Sequence, residues 1–300
     1  KYCHARGVKV YITLNTLVRD DEMETAMNAV RCACDVKADA LILQDIGLTS
    51  LIRKAAPDMP LHASTQTSVQ TLDGIKMLAD MGFCRAVLPR ELSKKEIEKI
   101  AAQSPIELEM FVHGALCMCY SGQCYLSSVI GRRSGNRGQC AQPCRLPYGY
   151  GRFESTRYPL SLKDNCLVGE LNELRRMGVA SLKIEGRMKR PEYVAIVTRA
   201  YRTVLNGGQL TQGDLQELES AFSRQGFTDG YFQGRTGADM FGRRQEGEDT
   251  SSLFASARAT YEQGEAQRIG VKFYAILQSG RPAQLAVEDP DGNVCKTTGP

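Results

Sequence analysis

The sequence has no tryptophan, only three histidines and no long hydrophobic run. A membrane-spanning helix needs about 20 consecutive apolar residues, and no segment approaches that length, so we expect no membrane partner. The motif His-Glu-x-x-His is also absent, which excludes a common zinc-protease arrangement. The net charge of +4 permits a nucleic-acid partner but does not by itself indicate one.

Cysteine is abundant by contrast, with 11 residues in a chain of 300. Disulfides require an oxidising compartment, and no export signal is visible in the sequence. In a reducing compartment, clustered cysteines more often bind a metal or perform redox chemistry. We therefore expect a cytoplasmic protein in which some of the cysteines hold a cofactor.

Strand-like and helix-like segments alternate along most of the chain. The strand-like segments are residues 8–15, 40–45, 60–64, 85–90, 106–114, 158–164 and 181–187. Such alternation indicates parallel strands joined by crossover helices. Because the chain shows seven units and begins inside a predicted helix, we predict an α/β fold, a TIM-type (β/α)8 barrel that lacks its first strand. A doubly wound open sheet is the alternative.

The composition changes after Gly208, and this change sets the predicted domain boundaries. A Gly/Arg-rich connector is followed by segments around the turn sequences SGRP and DPDGN, which are typical of antiparallel strands. We predict a barrel over residues 1–228 with a cysteine-rich insertion at 114–150. A linker at 229–268 and the start of a β-rich domain at 269–300 follow, and the chain is expected to be cut at both ends.

Polar residues gather at the carboxyl ends of the predicted strands, where barrels carry their active sites. From these we predict four pocket residues, His62, His113, Lys163 and Glu185. For any single residue, the simpler interpretation is that a strand end meets a polar loop.

Four cysteines in the insertion form two pairs, Cys117 with Cys124 and Cys140 with Cys144. Iron–sulfur clusters are commonly held by four thiolates. Structural zinc also accepts four cysteines, but usually in pairs spaced more closely than the first pair here. We predict a 4Fe–4S cluster, with zinc or no metal as the alternatives.

Two further cysteines lie near this set. Cys119 alternates with Cys117 and is expected to point away from the site, whereas Cys166 is a reserve ligand.

Basic residues lie beside the cysteines in two stretches, GRRSGNRGQC and IEGRMKRPEY. The first contains Arg132, Arg133 and Arg137, and the second contains Arg187 and Lys189 before a predicted helix. Guanidinium groups, glycine-rich backbone and helix N-termini all bind anions. We predict that these five residues bind substrate, and the alternative is a solvated basic surface.

Three long motifs, in this order, carry a family resemblance: ELEMFVHGALCMCYSGQCYLSS, GRRSGNRGQCAQPCR and SLKIEGRMKRPEYV. They resemble peptidase family U32, the collagenase-like proteins, over about residues 1–231. The later β segment resembles the extra domain of the long family members, the branch that acts on ribosomal-RNA cytidine.

The resemblance implies several functions. The family name implies a peptidase. Other branches resemble iron–sulfur proteins that hydroxylate pyrimidines in tRNA or ribosomal RNA, with prephenate implicated as the hydroxyl donor, or that assist oxygen-independent ubiquinone hydroxylation. The family cysteines correspond to Cys117, Cys124, Cys140 and Cys144. The implied partners are therefore RNA and a small carboxylate such as prephenate.

The peptidase interpretation requires a base beside a nucleophile. Only His4, His62 and His113 are available, and a thiolate bound to iron is not a free nucleophile. The sequence therefore favours an RNA-hydroxylating enzyme over a peptidase.

Overall fold

The computed structural model describes residues 2–149, 158–243, 250–262 and 268–299. The chain divides into two compact units, one formed by Tyr11–Glu262 and the other by Lys1–Val10 with Gln263–Pro300. Within the described ranges, no helix is both long enough and apolar enough to cross a membrane.

The larger unit is a mixed α/β structure built on one mostly parallel sheet. Its strands are β1 (Tyr11–Leu14), β2 (Ala40–Leu43), β3 (Leu61–Ala63), β4 (Arg85–Val87), β5 (Glu107–Ala115), β6 (Asp164–Cys166), β7 (Ser181–Ile184) and β8 (Phe227–Thr228). Its helices are α1 (Met23–Asp35), α2 (Ile46–Ala55), α3 (Leu72–Asp80), α4 (Lys94–Ala101), α5 (Leu126–Gly131), α6 (Leu171–Arg176), α7 (Pro191–Leu205), α8 (Gln212–Ala221) and α9 (Ser251–Glu262).

The strand order follows the chain from β1 to β5, and all of these neighbours are parallel. This confirms the predicted parallel sheet with crossover helices. No reversal of strand order occurs among the described strands, as a doubly wound sheet would require. The same strands show no ladder that joins β8 back to β1, so closure into a barrel is not confirmed.

The sixth strand differs from the prediction. We expected a parallel strand at residues 158–164, but β6 is Asp164–Cys166 and runs antiparallel to the end of β5. The preceding residues form a turn in which the Ser161 N–H donates to the Tyr158 carbonyl. Pro159 within it has no N–H for a ladder. The parallel neighbour of β5 on this side is β7.

The two faces of the sheet differ in chemistry. Alternate residues of the strands, such as Leu41, Leu43, Leu61 and Val112, pack in the main hydrophobic core. We call this side the apolar face. The opposite side, the polar face, carries the intervening residues because successive side chains on a strand point in opposite directions. Its members include Tyr11, Gln44, His62, Ser64, Arg85, Glu109, Phe111, Ser181, Lys183 and Glu185.

Contacts across the polar face show that the sheet is strongly curved. The Tyr11 and His62 rings are 4.8 Å apart although β2 lies between their strands. The Arg85 guanidinium lies 5.4 Å from the Tyr11 ring. Neighbouring strands are about 4.8 Å apart, so residues on β1 and β4 approach this closely on a concave surface.

Helix α9 lies within the predicted linker at 229–268. It belongs to the larger unit, where Arg258 pairs with the buried Glu192 of α7 at 2.5 Å. Residue 150 of the predicted insertion and parts of the predicted linker lie outside the described residues.

The smaller unit contains an antiparallel sheet of β9 (Lys272–Ile276), β10 (Gln284–Glu288) and β11 (Val294–Thr298), with β10 in the centre. The β-rich segment predicted for 269–300 is thus present. Near the start of the chain, a short 3-10 helix, His4–Arg6, ends at Gly7, whose φ of +67° favours glycine.

Candidate functional site

The cysteine-rich insertion joins β5 to β6 and is described through residue 149. It contains α5 and two short 3-10 helices, Gly135–Arg137 and Pro143–Arg145. Of the four predicted ligands, Cys117, Cys124 and Cys140 lie in irregular segments, and Cys144 lies within the second 3-10 helix.

A carboxylate at the end of β4 anchors the first part of the insertion. Glu91 accepts hydrogen bonds from the Ser121 N–H and the Ser121 hydroxyl, both at 2.9 Å. The Ser68 hydroxyl, which follows β3, donates to the Ser121 carbonyl at 2.8 Å. The segment between Cys119 and Cys124 is therefore held against the carboxyl ends of two neighbouring strands.

The next residue, Gly122, can only be glycine. Its φ is +80°, and a Cβ atom would lie 2.4 Å from the Ser68 hydroxyl and 2.7 Å from the Gln66 carbonyl oxygen. Glycine alone combines this backbone conformation with so close an approach.

Other bonds attach the insertion to further loops. Arg137 donates to the Leu17 carbonyl after β1 at 2.8 Å and pairs with Glu22. Arg187, after β7, donates to the Gly138 carbonyl. The Tyr231 hydroxyl, after β8, donates to the Cys117 carbonyl at 3.3 Å. The insertion thus contacts the segments that follow β1, β3, β4, β7 and β8.

The cysteines of the insertion lie near one another. The Cys124 carbonyl oxygen and the Cys140 Cβ lie 3.6 and 3.7 Å from the position that a Cβ on Gly135 would occupy. Burial raises the pKa of the Cys144 thiol, and negative charge on Cys117, Cys140 and Cys124 raises it further, while Arg145 lowers it. The other three thiols therefore each affect the pKa of Cys144.

The four thiols are not arranged as a metal site. In the described ranges, no group of three His, Cys, Asp or Glu side chains is close enough together to hold a metal ion. Burial, and then the charge and hydrogen bond of Cys124, raise the pKa of the Cys119 thiol. Cys166 lies elsewhere, with its sulfur 3.9 Å from the buried Tyr201 hydroxyl.

His62 lies on the polar face and is 4% exposed. Burial lowers its pKa to about 4, with a further contribution from Arg85, so the ring is neutral at pH 7. Next to it, Glu109 accepts from the Lys183 ammonium at 2.7 Å and the Ser181 hydroxyl at 2.8 Å.

His113 lies on the apolar face instead, against the rings of Tyr193, Tyr201 and Phe227. A bulge between Phe111 and His113 shifts the alternation of β5 and places His113 beneath α7. The predicted pocket residues His62 and His113 are therefore on opposite sides of the sheet.

The hydrogen bonds of Tyr201 define the tautomer of His113. The Tyr201 hydroxyl donates its proton to the Val112 carbonyl at 2.7 Å and therefore cannot donate to His113. The His113 Nδ1, 3.3 Å from the same hydroxyl, must then donate, which leaves Nε2 as an acceptor. Burial, followed by Lys189, lowers the pKa of His113 to about 4.

The other two predicted pocket residues, Glu185 and Lys163, lie in different segments, after β7 and before β6 respectively. Glu185 accepts from the Arg90 guanidinium at 2.8 Å and from the Arg187 N–H at 3.0 Å, beside the insertion. Lys163 lies before β6, where its N–H donates to the Met240 carbonyl at 2.8 Å and its stem contacts Gly242. Glu185 thus lies beside Arg187, which bonds the insertion, whereas Lys163 follows Ser161 and Leu162, which accept from Arg145 of the insertion.

The five predicted substrate-binding residues differ in how far they are engaged. Arg137 and Arg187 hold the insertion, as described above. The Lys189 ammonium lies 2.6 Å from the centre of the Phe222 ring. Arg132 and Arg133 are exposed at the end of α5, and Arg133 donates to the Gln139 carbonyl at 3.0 Å.

Several residues of the site were not predicted from the sequence. Glu91 and Ser68 position the insertion, and Arg85, Glu109 and Lys183 form an ion network on the polar face. The strand sequences indicate this network, since charged residues at 107, 109 and 183 alternate with apolar residues. Glu91 belongs to the polar residues that follow predicted strands, but nothing in the sequence indicates its partner, Ser121, which lies 30 residues away in an irregular segment.

The structure thus defines an α/β protein with a cysteine-rich insertion held over the carboxyl edge of a curved parallel sheet. The family model for peptidase family U32 matches residues 1–241, and the chain belongs to that family. This confirms the resemblance seen in the three motifs.

Three relatives show the range of names within the family. The chain is 42% identical over 224 residues to the 23S rRNA 5-hydroxycytidine C2501 synthase of Escherichia coli, which covers 73% of this chain and 34% of the relative. It is 32% identical to the tRNA hydroxylation protein P of Escherichia coli, over 79% of this chain and 64% of the relative. It is 29% identical to a collagenase of Porphyromonas gingivalis, over 91% of this chain and 70% of the relative.

The chain therefore spans about a third of the first relative's length and just under two thirds of the second's.

We expect Gly122→Ala to loosen the insertion from the sheet without unfolding the α/β unit. The new Cβ collides with the Ser68 hydroxyl and the Gln66 carbonyl. Limited proteolysis should cut between residues 114 and 149 at least tenfold faster, which corresponds to about 1.4 kcal/mol of local stability. The matched control is Gly131→Ala, where nothing lies within 4 Å of the added Cβ. Equal cleavage rates for the two variants would contradict the prediction.

Proposed function

We propose that this protein is an iron–sulfur-dependent enzyme that hydroxylates a pyrimidine in ribosomal RNA or tRNA. One observation carries the proposal: the four cysteines of the insertion are held over the carboxyl ends of the parallel strands. The names of the first two relatives supply the substrate class, because both refer to hydroxylation of RNA.

The donor set fits a 4Fe–4S cluster. Cys117, Cys124, Cys140 and Cys144 offer four thiolates, the common ligand number of such clusters. The Gln142 N–H already donates to the Cys140 sulfur at 3.3 Å, and hydrogen bonds to sulfur tune cluster potentials. Metal binding couples to local folding. We therefore expect the insertion to rearrange when the metal binds, so that the four thiols approach one another. When bound, the cluster would supply electron transfer.

The polar groups around the insertion can bind and orient substrate. Exchange of a ring hydrogen for a hydroxyl group oxidises the pyrimidine by two electrons and releases the hydrogen as a proton. The exchange balances when the hydroxyl donor takes up the two electrons and a proton as its own C–O bond breaks, so a general base is needed to accept the ring proton. Glu185 is our candidate for this base because it lies beside the insertion. Arg187 uses one guanidinium N–H on Gly138 and retains others for a carboxylate of a prephenate-like donor.

We further propose that the curved sheet forms the TIM-type barrel predicted from the sequence. The polar side chains of β2 and β3 are buried although the helices pack on the other face. Curvature toward closure explains how both faces of a parallel strand are buried. The Arg90–Glu185 pair, which links the ends of β4 and β7, is consistent with this shape.

A collagenase-like peptidase is the second candidate, favoured by the relative that covers 91% of the chain. Such an activity needs a nucleophile bonded to a base. In the described part of the chain, His113 bonds Tyr201 and His62 bonds no serine, threonine or cysteine side chain. The geometry therefore favours the RNA-directed reaction.

Deletion of the gene should remove one hydroxylated pyrimidine from total RNA. Mass spectrometry of digested ribosomal RNA and tRNA would detect the loss, and re-expression of the intact gene should restore the nucleotide. Expression of the Glu185→Gln variant should fail to restore it, because the amide cannot accept the ring proton. If every modification persists and the purified protein cleaves gelatin, the peptidase interpretation is correct.

Replacement of each predicted ligand by serine should lower the iron content of protein purified without oxygen. Loss of one thiolate should weaken the visible absorption of the cluster and cut bound iron at least by half. Cys32→Ser, on the exposed side of α1, is the control and should retain full iron. Cys166→Ser tests the reserve ligand and should also retain iron. Full iron in Cys117→Ser and Cys140→Ser would refute the ligand assignment.

Arg132 and Arg133 should contribute a salt-dependent affinity for RNA, because each neutralised phosphate releases counterions. For a single strand, loss of two contacts should reduce the slope of log affinity against log salt by about 1.4. The test compares the Arg132→Ala/Arg133→Ala double variant with Arg175→Ala/Arg202→Ala, two exposed arginines on α6 and α7. Equal slopes for the two double variants would contradict the prediction.

A further inference from the structure

The short helix α5 of the cysteine-rich insertion exposes apolar side chains to solvent. Val129 is 80% exposed, Ile130 is 60% exposed, and Tyr125, the residue before the helix, is 57% exposed. Single exposed apolar residues are common on protein surfaces. Adjacent ones that form a patch mark a surface that contacts a partner, so this patch requires an explanation.

Hydrogen bonds anchor α5 within the insertion. Ser127 in the middle of the helix is buried, and its hydroxyl accepts from the Ala141 N–H at 2.9 Å. The Arg133 N–H donates to the Ser127 carbonyl at 3.2 Å, which closes the last turn of the helix. The exposed side chains of Val129 and Ile130 therefore stand on a helix that is bonded to the rest of the insertion at both its side and its end.

The apolar patch adjoins cysteines of both predicted pairs. Cys124 directly precedes Tyr125, and the Ala141 N–H that anchors the helix belongs to the residue after Cys140. The Val129 N–H donates to the Tyr125 carbonyl at 3.0 Å. These two residues are therefore one helical turn apart, which is about 6 Å along the helix axis. A molecule in contact with the patch would lie beside the cysteines.

The charge of the insertion indicates an anionic partner. Its described part contains four arginines and no aspartate or glutamate. Arg137 pairs with Glu22, and the buried Arg145 donates to two backbone carbonyls. The other two, Arg132 and Arg133, follow α5 directly and are exposed. Exposed cations beside aromatic and aliphatic side chains match RNA, which combines anionic phosphates with bases that stack through their flat faces.

We infer that Val129 and Ile130 form an apolar wedge that enters the base stack of RNA beside the extruded nucleotide. The inference rests on the proposed function, because an enzyme that acts on a base atom must take the base out of its stack. Proteins that unstack bases frequently insert aliphatic side chains between base steps. Neither side chain carries a group that could transfer a proton, so both are RNA-binding residues rather than catalytic ones.

Photocrosslinking in cells tests the position of the wedge. The gene-deletion strain expresses the intact protein with the photoreactive residue p-benzoylphenylalanine in place of Val129, and the RNA joined to it on irradiation is sequenced. The crosslink should lie within about two nucleotides of the pyrimidine whose hydroxylation the deletion removes, because a wedge enters the stack next to the extruded base. The same replacement at Leu215, an exposed residue of α8, is the control and should give no crosslink there.

A crosslink to a distant nucleotide, a crosslink only to a protein, or no crosslink would each overturn the inference. The proposed function would still stand, provided that the deletion removes a hydroxylated pyrimidine. A deletion that removes none would contradict the proposed function together with this inference.

Replacement of the wedge by polar residues tests its contribution. Val129→Ser/Ile130→Ser should slow the accumulation of the hydroxylated nucleotide after induction by about tenfold, because unstacking a base is costly and an apolar wedge offsets part of that cost. The slope of RNA affinity against salt should not change, since no charge is lost. Leu205→Ser/Leu215→Ser, at exposed positions on α7 and α8, is the matched control and should act at the wild-type rate.

Both double variants should unfold at the wild-type temperature, because the replaced side chains are exposed. A wild-type rate of hydroxylation in Val129→Ser/Ile130→Ser would overturn the inference and leave the proposed function unaffected. A lower rate that is accompanied by a smaller salt slope would also overturn it, since the variant would then have lost phosphate contacts rather than a wedge.

Discussion

The hydrogen bonds between Glu91 and Ser121 connect the parallel sheet to the cysteine-rich insertion. Glu91 follows β4 and therefore moves with the rigid sheet, whereas Ser121 lies between two cysteines of the insertion. A carboxylate that accepts two bonds from one residue fixes position as well as distance, and charge-assisted bonds are stronger than neutral ones. Ser68 and Gly122 add a second point of attachment on the neighbouring strand. The location of the cysteines over the strand ends depends on these contacts.

The polar face of the sheet buries charged side chains, and burial of charge is unfavourable for folding. Glu109 is 4% exposed and is surrounded by Lys183, Ser181 and Arg85. Burial opposes its ionisation, but Lys183 and the other partners outweigh burial and lower the pKa of Glu109. A buried ion network of this kind is weak evidence for stability, since apolar residues of similar volume often serve as well.

The sequence predicts the parts of this structure that depend on local patterns. Alternation of strand-like and helix-like segments identifies β1 to β5 and β7, and Ser93 with Glu96 forms the capping box that begins α4. It does not predict β6, because Pro159 and the turn at Ser161 shift that strand and its pairing is with β5 rather than β7. Likewise, the bulge before His113 depends on tertiary pairing, so a strict alternation places that histidine on the wrong face. The cysteines are evident from spacing, and Glu91 from its place after a strand, but its bonds to Ser121 become evident only when distant loops meet.

The sheet with its helices is stabilised by different forces from those that hold the cysteine-rich insertion. The sheet and helices bury a continuous apolar core, whose stability does not depend on metal. The insertion buries little, apart from Leu116, which packs with Leu162 and Met240, and is held mainly by polar bonds to loops. Regions with few buried apolar contacts open locally at low free energy. The insertion can therefore open locally while the sheet that carries His62 and Glu109 stays fixed.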